Sequence, residues 1–170
     1  MKLIFRLVLL AAAVGLGIWL WTVLFPSPEK MIRRQLTELA AKVSFSNSEG
    51  NLARLARAEN VADFFATNVE VNIDVPGHEQ NTFAGRDEIT QTVLGSRQAL
   101  STLTVKFPDI NVTVAPDKDS AVAEVTVEVT SSNDPDEFVQ ELKISFEKSG
   151  RQWLVNQIET VRTLSRPAVK

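Results

Sequence analysis

Few residues in this chain have chemical reach. His78 is its single histidine, and cysteine and tyrosine are absent. Without cysteine there can be no disulfide, no thiolate zinc site and no thiol nucleophile. One histidine cannot supply a two-imidazole metal pattern. Asn133-Asp134-Pro135-Asp136-Glu137 gathers carboxylates but lacks the alternating ligands and central glycine of a calcium loop, so it reads as an acidic turn. No metal and no cofactor are expected. What remains is Asp74, separated from His78 by Val75-Pro76-Gly77. A carboxylate and an imidazole at a turn can act as a general acid–base pair, which makes Asp74 and His78 the candidate catalytic residues. Asp74 falls on the polar side of an alternating run and His78 sits in a polar turn, so a solvated placement weighs more than a catalytic one. Phe64, Phe65, Phe107 and Trp153 are candidates to line a ligand pocket. Aromatics at such spacing more often form core, as Phe138 and Phe146 are expected to do.

The elements that must position these residues follow from periodicity. Ser27 is suited to cap a helix and Pro28 to its first turn, and Ile32, Leu36, Leu39 and Val43 then recur at helical spacing. A second helix is expected from about Asn51 to Ala66, with Leu52, Leu55, Ala58, Ala62 and Phe65 on one face. Val69, Val71, Ile73 and Val75 then alternate with polar residues, the mark of a half-buried strand. Pro76-Gly77 turns the chain into a short strand from about Gln80 to Ala84, and Gly85 opens a third helix from about Arg86 to Leu100. Longer strands are expected over Leu103–Val114, bent near Pro108, then Ala121–Thr130, Phe138–Phe146 and Gln152–Leu164. Helices followed by a run of antiparallel strands make an α+β domain of the order α-α-β-β-α-β-β-β-β, with three helices on a curved, mainly antiparallel sheet.

Ahead of this domain, Leu7 to Phe25 reads LVLLAAAVGLGIWLWTVLF without a charge. As a helix it would be about 28 Å long, close to the hydrocarbon thickness of a bilayer. Lys2 and Arg6 precede it, Trp19 and Trp21 lie near its end, and Pro26 stops it. A cleaved signal peptide fits less well. Ala11-Ala12-Ala13 is cleavable in type, but a cut there would leave a long apolar tail, and Val23-Leu24-Phe25 is too bulky for a cleavage site. The expectation is a signal anchor at 1–26, a domain at 27–164 and a tail at 165–170. The lipid bilayer is then a partner through Leu7 to Phe25. Lys2, Arg6 and the amino terminus favour a cytoplasmic N-terminus in the inner membrane, with the domain periplasmic or extracellular; against this, Lys30, Arg33 and Arg34 follow the span, on a helix where Glu29 and Glu38 balance them. Net charge is −3, and setting aside Lys2 and Arg6 leaves the rest at −5. A mildly acidic domain whose longest basic run is Arg33-Arg34 is not expected to bind nucleic acid.

The order of elements resembles the nuclear transport factor 2-like superfamily, which includes SnoaL-like cyclases and ketosteroid isomerase. Three stretches carry the likeness: Phe64-Phe65-Ala66-Thr67-Asn68-Val69-Glu70-Val71, Phe83-Ala84-Gly85-Arg86-Asp87-Glu88-Ile89 and Gly150-Arg151-Gln152-Trp153-Leu154-Val155. It covers about Pro28 to Leu164 and implies a cone-shaped fold closed by helices at one end, a natural pocket. Asp74 lies near the position resembling the isomerase base. The isomerase oxyanion hole uses a tyrosine and a protonated aspartate, and here the corresponding strand position is Leu142. The resemblance therefore implies the fold but not that catalytic set. Glu124, Thr126, Glu128 and Thr130 form a polar strand face, which in this fold commonly carries dimer contacts. A homodimer through that face and a protein partner in the envelope are both expected possibilities. One membrane helix joined to this fold is similar in layout to the periplasmic scaffold subunit of type IV secretion systems. The expected function is a non-catalytic, membrane-tethered binding or assembly module. The alternative is a SnoaL-like enzyme or small-molecule binder with a pocket near Asp74 and His78.

Overall fold

Spacing alone builds the first helix, α1 (Pro28–Val43): Ile32, Leu36, Leu39 and Ala40 fall on one stripe and are buried. Ser27 holds the N-cap position, but its hydroxyl makes no cap bond. At the other end the Ser44 hydroxyl donates to the Ala40 carbonyl at 2.7 Å and accepts the Val105 N–H at 2.9 Å, fastening the end of α1 to a neighbouring strand. The structure, a computed structural model, describes residues 14–16, 27–46, 50–74, 81–133 and 138–165. Residues 14–16 are helical. The remainder of the expected membrane segment, with His78, lies outside the described residues. Among those described, no helix is long and apolar enough to cross a membrane.

Helix α2 (Asn51–Ala62) is shorter than its pattern predicts, and strand β1 (Phe65–Ile73) begins where the helix was expected to continue. The reason is tertiary. The Phe64 carbonyl accepts the Val155 N–H at 2.9 Å, and Phe65 and Ala66 are buried, so pairing with the last strand outcompetes a further helical turn. Leu52 and Leu55, expected on the packed face of α2, are 84% and 41% exposed. The helix packs instead through Ala58, Val61 and Ala62 at its C-terminal end.

Beyond β2 (Asn81–Ala84) the chain turns at Gly85, whose φ of 85° is disfavoured for a residue with a Cβ. Its N–H donates to Val69 O at 2.8 Å. Helix α3 (Arg86–Ala99) follows, with Asp87 and Glu88 at its positive end. Glu88 also accepts the Ala84 N–H at 2.7 Å, and the Arg86 guanidinium donates to Phe65 O at 3.1 and 2.5 Å, tying the helix start to β1. Strands β3 (Leu103–Val114), β4 (Ser120–Ser131), β5 (Phe138–Ser149) and β6 (Gln152–Ser165) complete the chain.

The sheet has six strands in the order β2-β1-β6-β5-β4-β3. It is mixed, because β1 lies parallel to β6 while the other neighbours are antiparallel. The β3–β4 register slips between Lys106 and Asp109, where Pro108 has no N–H to donate. Three further slips interrupt the β5–β6 ladder. Such bulges bend strands and increase twist, which curls the sheet. Its inner face, from Val69 and Val71 through Val125, Ile144 and Phe146 to Val155 and Ile158, packs with Ile32, Leu36, Val61 and Ile89 of the helices into one apolar core. The domain is therefore α+β, with helices packed on a mixed sheet.

Candidate functional site

Two regions hold the residues singled out by the sequence. The first is the end of β1. Asp74 follows the strand directly, and its side chain is exposed rather than turned into the core. Its backbone is fixed: the N–H donates to Thr160 Oγ1 at 3.1 Å, and the carbonyl accepts Gln140 Nε2 at 2.5 Å. Gln140 is 1% exposed and also donates to Thr163 Oγ1 at 3.0 Å, so this buried amide knits β1, β5 and β6 together. Leu142, at the position resembling the isomerase aspartate, is buried among apolar neighbours. Among the described residues the only buried polar or charged side chains are Arg97 and Gln140; no carboxylate is buried.

The second region is a surface groove of about 580 Å³ between α1, the end of α2 and the turn joining β5 to β6. Phe64 and Trp153 line it, together with Met31 and Leu154. Phe65 does not; it belongs to the core, and Phe107 packs against that core from β3. Lys30, Arg34, Lys42 and Arg151 also line the groove, with Glu38 and Asp63. Gln35 donates to the Trp153 carbonyl at 2.6 Å, holding α1 against the start of β6. Lys42 lies 4.9 Å from the centre of the Phe64 ring, a cation–π contact. Arg34 reaches Glu38 at 2.8 Å one helical turn away, with its side chain 83% exposed. Sequence reasoning missed this cationic rim. Lys30 and Arg34 appear in sequence beside Glu29 and Glu38 as a balanced helix face, and Arg151 is remote in the chain. No local signal announces that they meet.

Arg97 was also missed. It is 2% exposed and donates to the Lys42 carbonyl at 2.6 Å, with its guanidinium 4.8 Å from the Phe45 ring centre. It thereby satisfies a carbonyl in the last turn of α1, where helix polarity favours a cation. No group of three or more histidine or acidic side chains able to hold a metal occurs among the described residues.

No protein-family model matches the chain, and no curated protein matches it significantly. Solved structures do. The yeast Ubp3-associated protein Bre5 superposes with a TM-score of 0.62 at 12% identity, covering 84% of this chain and 100% of its own. A putative scytalone dehydratase from Novosphingobium aromaticivorans gives 0.58 at 15% identity, covering 83% and 88%. An NTF2-like protein with a cystatin-like fold, also from Novosphingobium aromaticivorans, gives 0.54 at 22% identity, covering 75% and 79%. The chain has this NTF2-like, cystatin-like fold. That fold carries many unrelated activities, so function must come from the site.

Proposed function

We propose that the chain is a non-catalytic binding or assembly module, held at the extracytoplasmic side of a membrane by its apolar segment Leu7 to Phe25. The observation that carries the reading is the interior: among the described residues no carboxylate is buried, and Val125, Leu142, Ile144, Phe146 and Val155 belong to one apolar core. Bre5, a protein of similar fold, is a cofactor in complex with the deubiquitinase Ubp3, an instance of the architecture serving assembly.

The outer sheet face is the docking surface of this proposal. Asn111, Glu124, Lys143, Glu159 and Asn72 form one cross-strand row, and Asp109, Thr126, Glu141 and Arg162 another. Alternating charges directly opposite one another support the sheet and give a polar mosaic that a partner reads by complementarity. The row carries more acid than base, so a different envelope protein fits it better than a second copy. The experiment is cross-linking of the full chain in its native membrane with a photoreactive residue at Lys143. A cross-linked hetero-complex is expected. Cross-links only to a second copy would replace the partner with a homodimer, and a chain that forms none and sediments as a bare monomer would refute the reading.

The likeness to a putative scytalone dehydratase favours one alternative, an enzyme or small-molecule binder using Asp74 and His78. Its test is Asp74→Asn: loss of turnover or of ligand binding in the otherwise stable variant would establish it, and an unchanged protein would remove it.

A further inference from the structure

Three parts of the fold meet at the end of the domain where α1 begins. The turn between β3 and β4 is joined to the end of β5 by the Lys148 N–H donating to the Asp119 carbonyl at 2.9 Å. The start of β6 is held to α1 through Gln35 and Trp153. The Glu29 carboxyl, held low by its own backbone N–H and the Ser27 hydroxyl, also feels the charge of Lys118 in the β3–β4 turn. These contacts bring the start of α1, the β3–β4 turn and the start of β6 together at one end of the domain. The groove lining there carries four cations, Lys30, Arg34, Lys42 and Arg151, against two carboxylates, Glu38 and Asp63, in a chain that is net acidic. The groove is floored by Phe64, Trp153 and Leu154, with Met31 36% exposed beside it.

The chain itself determines what this end meets. Pro28 lies three residues beyond the apolar run that stops at Phe25. Three extended residues span about 10 Å, and a helix rises about 1.5 Å per residue. Lys30 is therefore within ~13 Å of the end of that run, and Arg34 within ~20 Å, at any tilt of the domain. If Leu7 to Phe25 crosses a bilayer, these cations are confined to the headgroup layer or the screened zone just above it. Arg151 lies on the same groove and comes with them.

We propose that this end of the domain is a docking face for the anionic lipids of the membrane into which its own apolar segment inserts. Lys30, Arg34 and Arg151 engage headgroup phosphates, and the apolar floor beside Met31 and Phe64 receives the upper part of the lipid. The tether then does more than confine the domain: it fixes which end faces the membrane and leaves the outer sheet face turned toward the envelope. This inference rests on the proposed tether.

The test uses the full chain in lipid nanodiscs, either zwitterionic phosphatidylcholine alone or with about 30% phosphatidylglycerol. Amide hydrogen exchange is followed in residues 28–34 and 149–154. Each basic side chain near an anionic surface favours contact about fivefold, so exchange in both segments slows in the anionic discs. The double variant Lys30→Gln/Arg151→Gln abolishes the difference, while Lys106→Gln/Lys143→Gln on the sheet preserves it. Equal exchange in the two discs overturns the inference. So does slowing reproduced by inorganic phosphate added to zwitterionic discs, which would mark a small-anion site instead of a bilayer surface. A chain that floats with both discs but exchanges equally removes this inference alone. A chain that floats with neither removes the tether and the inference together.

Discussion

Phe146→Ala tests the filled interior most directly. Phe146 is 1% exposed, and its cross-strand partners are Ala121 on β4 and Val155 on β6. Neither neighbour is large enough to move into the vacated space, so the void persists, and the loss should fall in the upper part of the range for such truncations, about 3–5 kcal/mol. For a domain of roughly 140 residues this lowers the melting temperature by ~10–15 °C. With a urea slope near 2 kcal/mol per molar, the midpoint falls by ~2 M. The assay is urea unfolding followed by far-ultraviolet circular dichroism, with the slope compared between variants so that a change in cooperativity is not mistaken for one in stability. Phe146→Leu, which keeps most of the apolar volume, should lose only about 1–1.5 kcal/mol. The Ala variant should also acquire affinity for a small apolar molecule such as benzene, because a dry void lined by Val, Ile and Leu accepts one. A loss below about 1 kcal/mol for Phe146→Ala would mean that the ring does not sit in a close-packed interior. Equal benzene binding by the unaltered chain would mean that the cone is already hollow. Either result would remove the main support for a non-catalytic role.

Three further outcomes are expected. Gln140→Leu takes away the donor to the Asp74 carbonyl and Thr163 and should cost ~1–2 kcal/mol by urea titration; no loss would show that the buried amide does not knit the three strands. Gly85→Ala should cost ~1–2 kcal/mol because φ is 85° there, whereas Gly95→Ala, with open space around the new methyl, should gain about 0.5–1 kcal/mol; equal effects would contradict the described turn. The Arg162 guanidinium donates to Glu141 at 2.8 and 2.7 Å and holds its carboxyl below the ordinary carboxylate value. A carboxyl whose pKa falls on folding contributes stability above its unfolded value, and that contribution is lost as pH drops through the folded value. Arg162→Ala should raise the Glu141 pKa in an NMR titration, and an unmoved titration would show that the pair does not form in solution.

Where a signal is local, the chain displays it openly. The stripe of Ile32, Leu36 and Leu39 and the alternation of β4 both follow from one-sided burial, which writes a period of 3.6 or 2 into neighbouring residues. Gly85 and Pro108 mark a turn and a bulge because each responds to a backbone constraint of its own. The apolar run Leu7 to Phe25 and the absence of cysteine are likewise properties of the sequence that no fold can alter.

Other features depend on residues distant in the chain and left no local trace. Helix α2 stops early because Phe64 and Phe65 find β6 beside them, and the parallel pairing of β1 with β6 joins segments nearly ninety residues apart. Leu52 and Leu55 carry a helical pattern that would bury them, yet among the described residues no partner surface covers them. Arg97 reads as a surface cation until the end of α1 arrives to accept its hydrogen bond. The same holds for the candidate groove. Phe64 and Trp153 were legible as aromatics, but only the meeting of α1 with the β5–β6 turn places them beside Lys30, Arg34 and Arg151. Composition and periodicity determine which residues leave water; which of them then meet is decided by packing across the sheet, and that depends on every strand at once.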